Sequence, residues 1–251
     1  METHAHHLHK APGKKWSHYL FEFFMLFLAV FCGFLAENFR EHAIEKKKEK
    51  QYIRSLVADL KEDIDEIKSS LENNALKFKG TDTLADRLDT ATMNSDDEKD
   101  LYRLWRRYGT SVDVALFHDK TMKQLLNSGN FRLVSKQSVS DSIMAYYQDQ
   151  DDVNGQGDIY SESAKRILYF AEDIFDYSAA PLKLASDGSF YREKNPNKMK
   201  LMTHDSKVLK KYAQMLTTTN GLTGNYILML TRIGKRAEAL LAFLKSEYHL
   251  E

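Results

Sequence analysis

The sequence predicts an all-α protein: an N-terminal transmembrane helix that continues into a long helix packed in an extramembrane helical bundle. Three observations predict it. The 251 residues include only 3 Pro and 11 Gly, the residues that interrupt helices. Apolar positions recur at steps of three and four along most of the chain, the period of one helix face. One stretch, residues 23–36, runs fourteen positions without a charge. No segment alternates at period two for long enough to demand a strand. The organisation reads as a short polar His- and Lys-rich tail over 1–18, a transmembrane helix over 19–39 and a helical extramembrane domain over 40–251.

The tail carries His4, His6, His7 and His9. Imidazoles bind zinc or nickel, but a tail with no packed scaffold to fix the ligands is in the main a solvated segment. The uncharged stretch alone spans ~21 Å against roughly 30 Å of hydrocarbon. Counting from Tyr19 to Phe39 gives 21 residues and ~31 Å, with Glu22 and Glu37 near its ends. Six Phe fall between Phe21 and Phe34, more than a buried soluble helix needs. Trp16 and Tyr19 stand where interfacial aromatic anchors belong. A cleaved signal does not fit: with Ala36 at the cleavage position, Phe34 takes the place of a small residue. Inside the span, Ala29 and Gly33 have the small-xxx-small spacing of a membrane-helix packing face. Glu22 either reaches the interface or meets a polar partner in that packing.

The helix leaving the span meets no Gly or Pro before Gly80, which is expected to end it. Ile53, Leu56, Leu60, Ile64, Ile67 and Leu71 form one stripe close to a coiled-coil heptad seam. The Lys, Glu and Asp between them read as a solvated face, with Lys61 and Asp65 spaced for an i,i+4 pair. Asn94 opens a short helix over 97–108. A helix over 119–127 stops at Gly129, and Ser138 or Ser140 caps the next. Residues 148–158 read as a polar loop and 159–177 as a strong helix, with Ile159, Ile167, Phe170, Ile174 and Phe175 facing the core. Residues 178–203, with Pro181, Gly188 and Pro196, are irregular. Asp205 opens another helix, Asn220 and Gly221 break it, and a last helix runs over 222–248.

Equal numbers of basic and acidic residues, 36 each, remove the bulk electrostatic reason for a nucleic-acid partner. A single Cys excludes an intrachain disulfide framework or a Cys-based zinc cluster. The acidic segment over 149–162 fails the calcium-loop register: with Gly155 at position 6, Gln150 and Ser161 fall at the two main ligand positions. The dipeptides His118-Asp119 and His204-Asp205 occur in metal phosphohydrolases, yet each precedes an amphipathic helix, where Asp is an ordinary cap. Arg103, Arg106 and Arg107, with Tyr102, Trp105 and Tyr108, are better read as one helix with an exposed basic face than as an anion site. No dinucleotide fingerprint, phosphate loop, zincin motif or nucleophile elbow is present. No catalytic residue, cofactor or metal ligand is assigned.

Two stretches, KKWSHYLFEFFMLFLAVFCGFLAENFREH running into EKQYIRSLVADLKEDI, and TMKQLLNSGNFRLVSKQSVSDSIMAYY, resemble a family of uncharacterised single-span inner-membrane proteins of Gram-negative bacteria, a domain of unknown function. The resemblance covers roughly a third of the chain and implies no activity. It implies an inner-membrane anchor with the C-terminal domain periplasmic. Lys14 and Lys15 beside the span agree with that orientation; Arg40, Lys46, Lys47, Lys48 and Lys50 on the other flank oppose it. The partners expected are the lipid bilayer and a homo-oligomer or another membrane protein. The expected function is protein–protein interaction or scaffolding in the bacterial envelope, without enzymatic activity. The alternative is an extracytoplasmic bundle that senses a ligand and signals through a partner.

Overall fold

The computed structural model describes residues 16–90, 94–179, 181–192 and 198–250; the His-rich tail lies outside them. It is 82% helical with five α-helices and 3% strand. The elements are α1 (Trp16–Thr90), α2 (Ser95–Leu104) followed by a π-helical turn (Trp105–Gly109), α3 (Lys120–Asn127), α4 (Gln137–Ala171), a hairpin of β1 (Leu182–Leu184) and β2 (Phe190–Arg192), and α5 (Ser206–Tyr248). The chain divides into two units, residues 1–51 and 52–251.

The first unit is helical throughout its described part. It contains a window of mean hydropathy 2.2, long and apolar enough to cross a membrane, none of it buried among the described residues.

In the second unit α4 and α5 form the closest helix pair. One apolar cluster gathers Ile53, Leu56, Leu60 and Ile67 of α1 with Val139, Ile143, Val153 and Tyr160 of α4 and Tyr226, Leu230, Ile233, Leu240 and Leu244 of α5. A second gathers Leu84 and Leu88 of α1, Leu101, Tyr102, Trp105, Ile167 and Phe175 with Leu209, Tyr212 and Leu216 of α5. The order of these residues makes α1 and α4 run in one sense and α5 in the other. The heptad-like stripe of α1 is therefore filled within its own chain.

Several expectations hold. Asn94 caps α2 by accepting from Asp96 N and Asp97 N at 3.0 Å, and Asp205 caps α5 by accepting from Lys207 N at 2.8 Å. Gly129 takes φ +67° after α3, a conformation glycine reaches without a Cβ penalty.

Others do not. Gly80 does not end α1, which continues to Thr90. Its missing side chain admits the Tyr108 ring, which a Cβ would overlap. Gly80→Ala is expected to destabilise the unit by about 2–3 kcal/mol, read as a lower denaturation midpoint with unchanged slope. Residues 148–158 are not a loop but the middle of α4, because Gln150, Val153 and Gly157 are buried in register with Tyr146 and Tyr160. Neither Ser138 nor Ser140 caps that helix; Lys136 precedes it with no side-chain cap. The predicted helix over 159–177 stops at Ala171, and Ile159 faces outward. Asn220 and Gly221 lie inside α5. The irregular stretch holds a short antiparallel hairpin, Leu182 opposite Arg192 and Leu184 opposite Phe190.

Candidate functional site

Residues 110–119, between the π-helical turn and α3, belong to no helix or strand. Their backbone polar groups still need partners, and side chains supply them. From α1, Asn74 Nδ2 donates to Asp113 O at 2.9 Å. Glu66 accepts from Leu116 N at 3.1 Å and Asp63 from His118 N at 2.6 Å. Asp59 accepts from Thr121 N at 3.1 Å, taking the capping role expected of Asp119, whose side chain makes no cap. From α5, the Tyr226 hydroxyl accepts from Ala115 N at 2.9 Å. Val114 faces Gly157 of α4, where an added Cβ would lie 2.8 Å from Val114 Cγ1. The segment is thus a strap held between α1 and the α4–α5 pair.

The face of α1 read as solvated therefore carries buried acids: Asp63 is 1% and Asp59 8% exposed. Asp63 also accepts from the Tyr146 hydroxyl at 2.6 Å. Its burial raises its pKa, while Tyr146 and His118 oppose the rise. The same surroundings push the Tyr146 hydroxyl up, burial first and Asp63 second. Lys61 and Asp65 do not pair. A signal was present in the sequence, since Asp59, Asp63 and Glu66 flank the apolar stripe at helical spacing. Composition alone does not separate such acids from solvated ones.

His118 Nδ1 lies 3.1 Å from Asp63 and Nε2 3.3 Å from Glu62, so both ring nitrogens face carboxylates. His204 Nε2 pairs with the buried Glu98 at 2.5 Å. Among the described residues no cluster of three or more His, Cys, Asp or Glu is arranged to hold a metal ion. Tyr102 and Trp105 are fully buried, and Arg103 is exposed and pairs with Asp100 at 2.7 Å.

Between the two apolar clusters α1, α4 and α5 meet in a polar layer: Asn74, Thr81, Ser163, Thr219, Asn220 and Thr223 are all buried. The Tyr160 hydroxyl donates to Asn74 Oδ1 at 3.2 Å, and Ser163 bonds Thr219 at 2.5 Å. A cleft of about 120 Å³ opens in this layer, lined by Lys77 and Thr81 of α1, Tyr108 to Val112, Ser161 and Lys165 of α4, and Asn220 and Thr223 of α5. The π-helical turn forms one rim; such turns recur at functional sites. These residues were not singled out from the sequence, because Gly80 and Asn220-Gly221 read as helix ends rather than as one layer.

No family model, curated protein or solved structure matches the chain.

The residues expected to act in the membrane all lie on the first unit. Trp16 is 86% and Tyr19 56% exposed. Glu22 lies 3.8 Å from His18 Nε2, one turn away on the same helix. Around Gly33 an added Cβ meets nothing within 4 Å, and Ala29 is likewise exposed. On the hairpin, Leu182, Leu184 and Phe190 are exposed. Their alternation and pairing put all three on one face.

Proposed function

We propose that this chain is a membrane-tethered helical protein that acts by contact with other proteins, as a scaffold in the bacterial envelope rather than as an enzyme. The observation that carries the tether is the outward-facing apolar surface of α1: Leu20, Phe23, Phe24, Leu26, Phe27, Phe31 and Phe34 find no cover among the described residues. Lipid supplies that cover where water would not. The resemblance to single-span proteins of the inner membrane supports a periplasmic second unit. Alkaline phosphatase fused after Glu251 is expected to be active; an inactive fusion overturns that sidedness.

The contact reading is supported by the apolar hairpin face. Affinity purification from native membranes, with chemical crosslinking, is expected to recover either a second copy or a distinct membrane protein. Replacing Leu182, Leu184 and Phe190 together by Ser is expected to lower that recovery at least about tenfold, equivalent to ~1.4 kcal/mol, with unchanged thermal unfolding. Recovery of monomer alone from the parent chain overturns the contact reading. Ala29 and Gly33 offer a close-approach face for a second copy, with Glu22 near its end.

A second reading, ligand sensing through a partner, is favoured by the cleft in the polar layer. Polar groups from three helices and the strap converge there, the arrangement of a small-molecule site.

A further inference from the structure

Two atoms on residues that line the cleft, Asn220 Oδ1 and Lys77 Nζ, have no hydrogen-bond or ion-pair partner among the described residues, and they are complementary to one ligand. Asn220 is 5% exposed. Its Nδ2 donates to the Phe78 carbonyl at 3.0 Å, which fixes the amide's orientation and leaves Oδ1 buried with no hydrogen bond. Lys77 lines the same cleft, with its Nζ 5.7 Å from the centre of the Tyr160 ring. No carboxylate among the described residues stands within ion-pair distance of it. Burial lowers its pKa to about 8, with Asp113 opposing the shift. A buried acceptor without a donor and an ammonium without an anion each carry a free-energy cost that complementary ligand groups remove. The volume of about 120 Å³ equals roughly four waters at ~30 Å³ each, which limits the occupant to a small molecule. Water could donate to Asn220, but it gives Lys77 no counter-charge.

We propose that the cleft binds a small carboxylate that carries its own hydrogen-bond donor, an α-amino or α-hydroxy acid, with the carboxylate against Lys77 and the donor on Asn220 Oδ1. The inference rests on the sensing reading and names its ligand class.

Calorimetric titration of the purified full chain in detergent tests it, with glycine, serine, lactate and acetate as probes. Glycine, serine or lactate is expected to bind at least about tenfold more tightly than acetate, which lacks the donor. Lys77→Met is expected to weaken that binding by at least about tenfold. Lys77 makes no hydrogen bond or ion pair, so this variant keeps the fold, as its unchanged circular dichroism and melting would verify. Asn220→Leu is expected to abolish the preference over acetate. Because it also frees the Phe78 carbonyl, it is compared only if its circular dichroism matches the parent, and Lys77→Met otherwise decides alone. Equal affinity for acetate and lactate overturns the role of Asn220. Binding unchanged in Lys77→Met, or no binding by any probe, overturns the site. Binding that holds while partner recovery ignores the ligand upholds the site and removes the sensing role.

Discussion

Asp63→Ala is expected to destabilise the second unit by about 3–5 kcal/mol, the sum of several buried donors losing one acceptor. Asp63 is 1% exposed and accepts from three donors: His118 N, His118 Nδ1 and the Tyr146 hydroxyl. Removing its carboxylate strands the strap at one end and the Tyr146 hydroxyl at the other. Asp63→Asn keeps one acceptor oxygen and is expected to fall between the parent and the alanine variant. The pH dependence separates a carboxylate from an amide. The folded Asp63 carboxyl is held above its ordinary pKa, chiefly by burial. The folded state therefore keeps a proton that the unfolded chain releases. Stability contributed by this group is full below the ordinary carboxylate pKa and falls as pH rises through the raised one. The stability of the parent relative to Asp63→Asn should decline across that window. Urea denaturation at a series of pH values measures it, and a relative stability that climbs with pH would contradict the assignment.

Leu28→Asp with Phe31→Asp is expected to release the chain from the membrane. The two positions lie near the middle of the uncharged stretch, within one turn. An aspartate at the centre of a span costs about 2.5–3.5 kcal/mol, and each lost Leu or Phe forgoes a further ~0.3–0.6 kcal/mol. The pair therefore opposes insertion by about 6–8 kcal/mol. After carbonate washing, the parent chain should remain in the membrane pellet and the double variant should move to the supernatant. If both stay in the pellet, the apolar surface of α1 is not what holds the protein there. The second unit keeps its circular dichroism in either case, since neither position lies within it.

The two predictions depend on different kinds of information. The span is a local property: hydropathy summed over one stretch of chain needs no knowledge of what packs where. The caps at Asn94 and Asp205 and the left-handed Gly129 were equally local, because the responsible atom lies within three residues of the group it satisfies. The apolar stripe of α1 was legible too, since a period of 3.6 marks one face whatever lies opposite. What lies opposite was not legible, and the stripe faces α4, α5 and the strap of its own chain instead of a second coil. For the same reason the sequence alone places Asp59, Asp63 and Glu66 on a solvated face. Their donors stand 50 or more residues away in the sequence.

The sequence by itself determined the helical class, the apolar stretch, the caps at Asn94 and Asp205 and which face of α1 is apolar. Only the tertiary structure decided that α1 passes through Gly80, α4 through residues 148–158 and α5 through Asn220-Gly221. Within a helix a glycine costs about 1 kcal/mol relative to alanine. Fully burying one large apolar side chain returns about 1.5–3 kcal/mol. Packing on both sides of each weak point therefore outweighs it and keeps the helix continuous. Asn220, which looks like a helix end in one dimension, is in three part of the layer that holds the cleft, and Gly80 packs against Tyr108 on its rim.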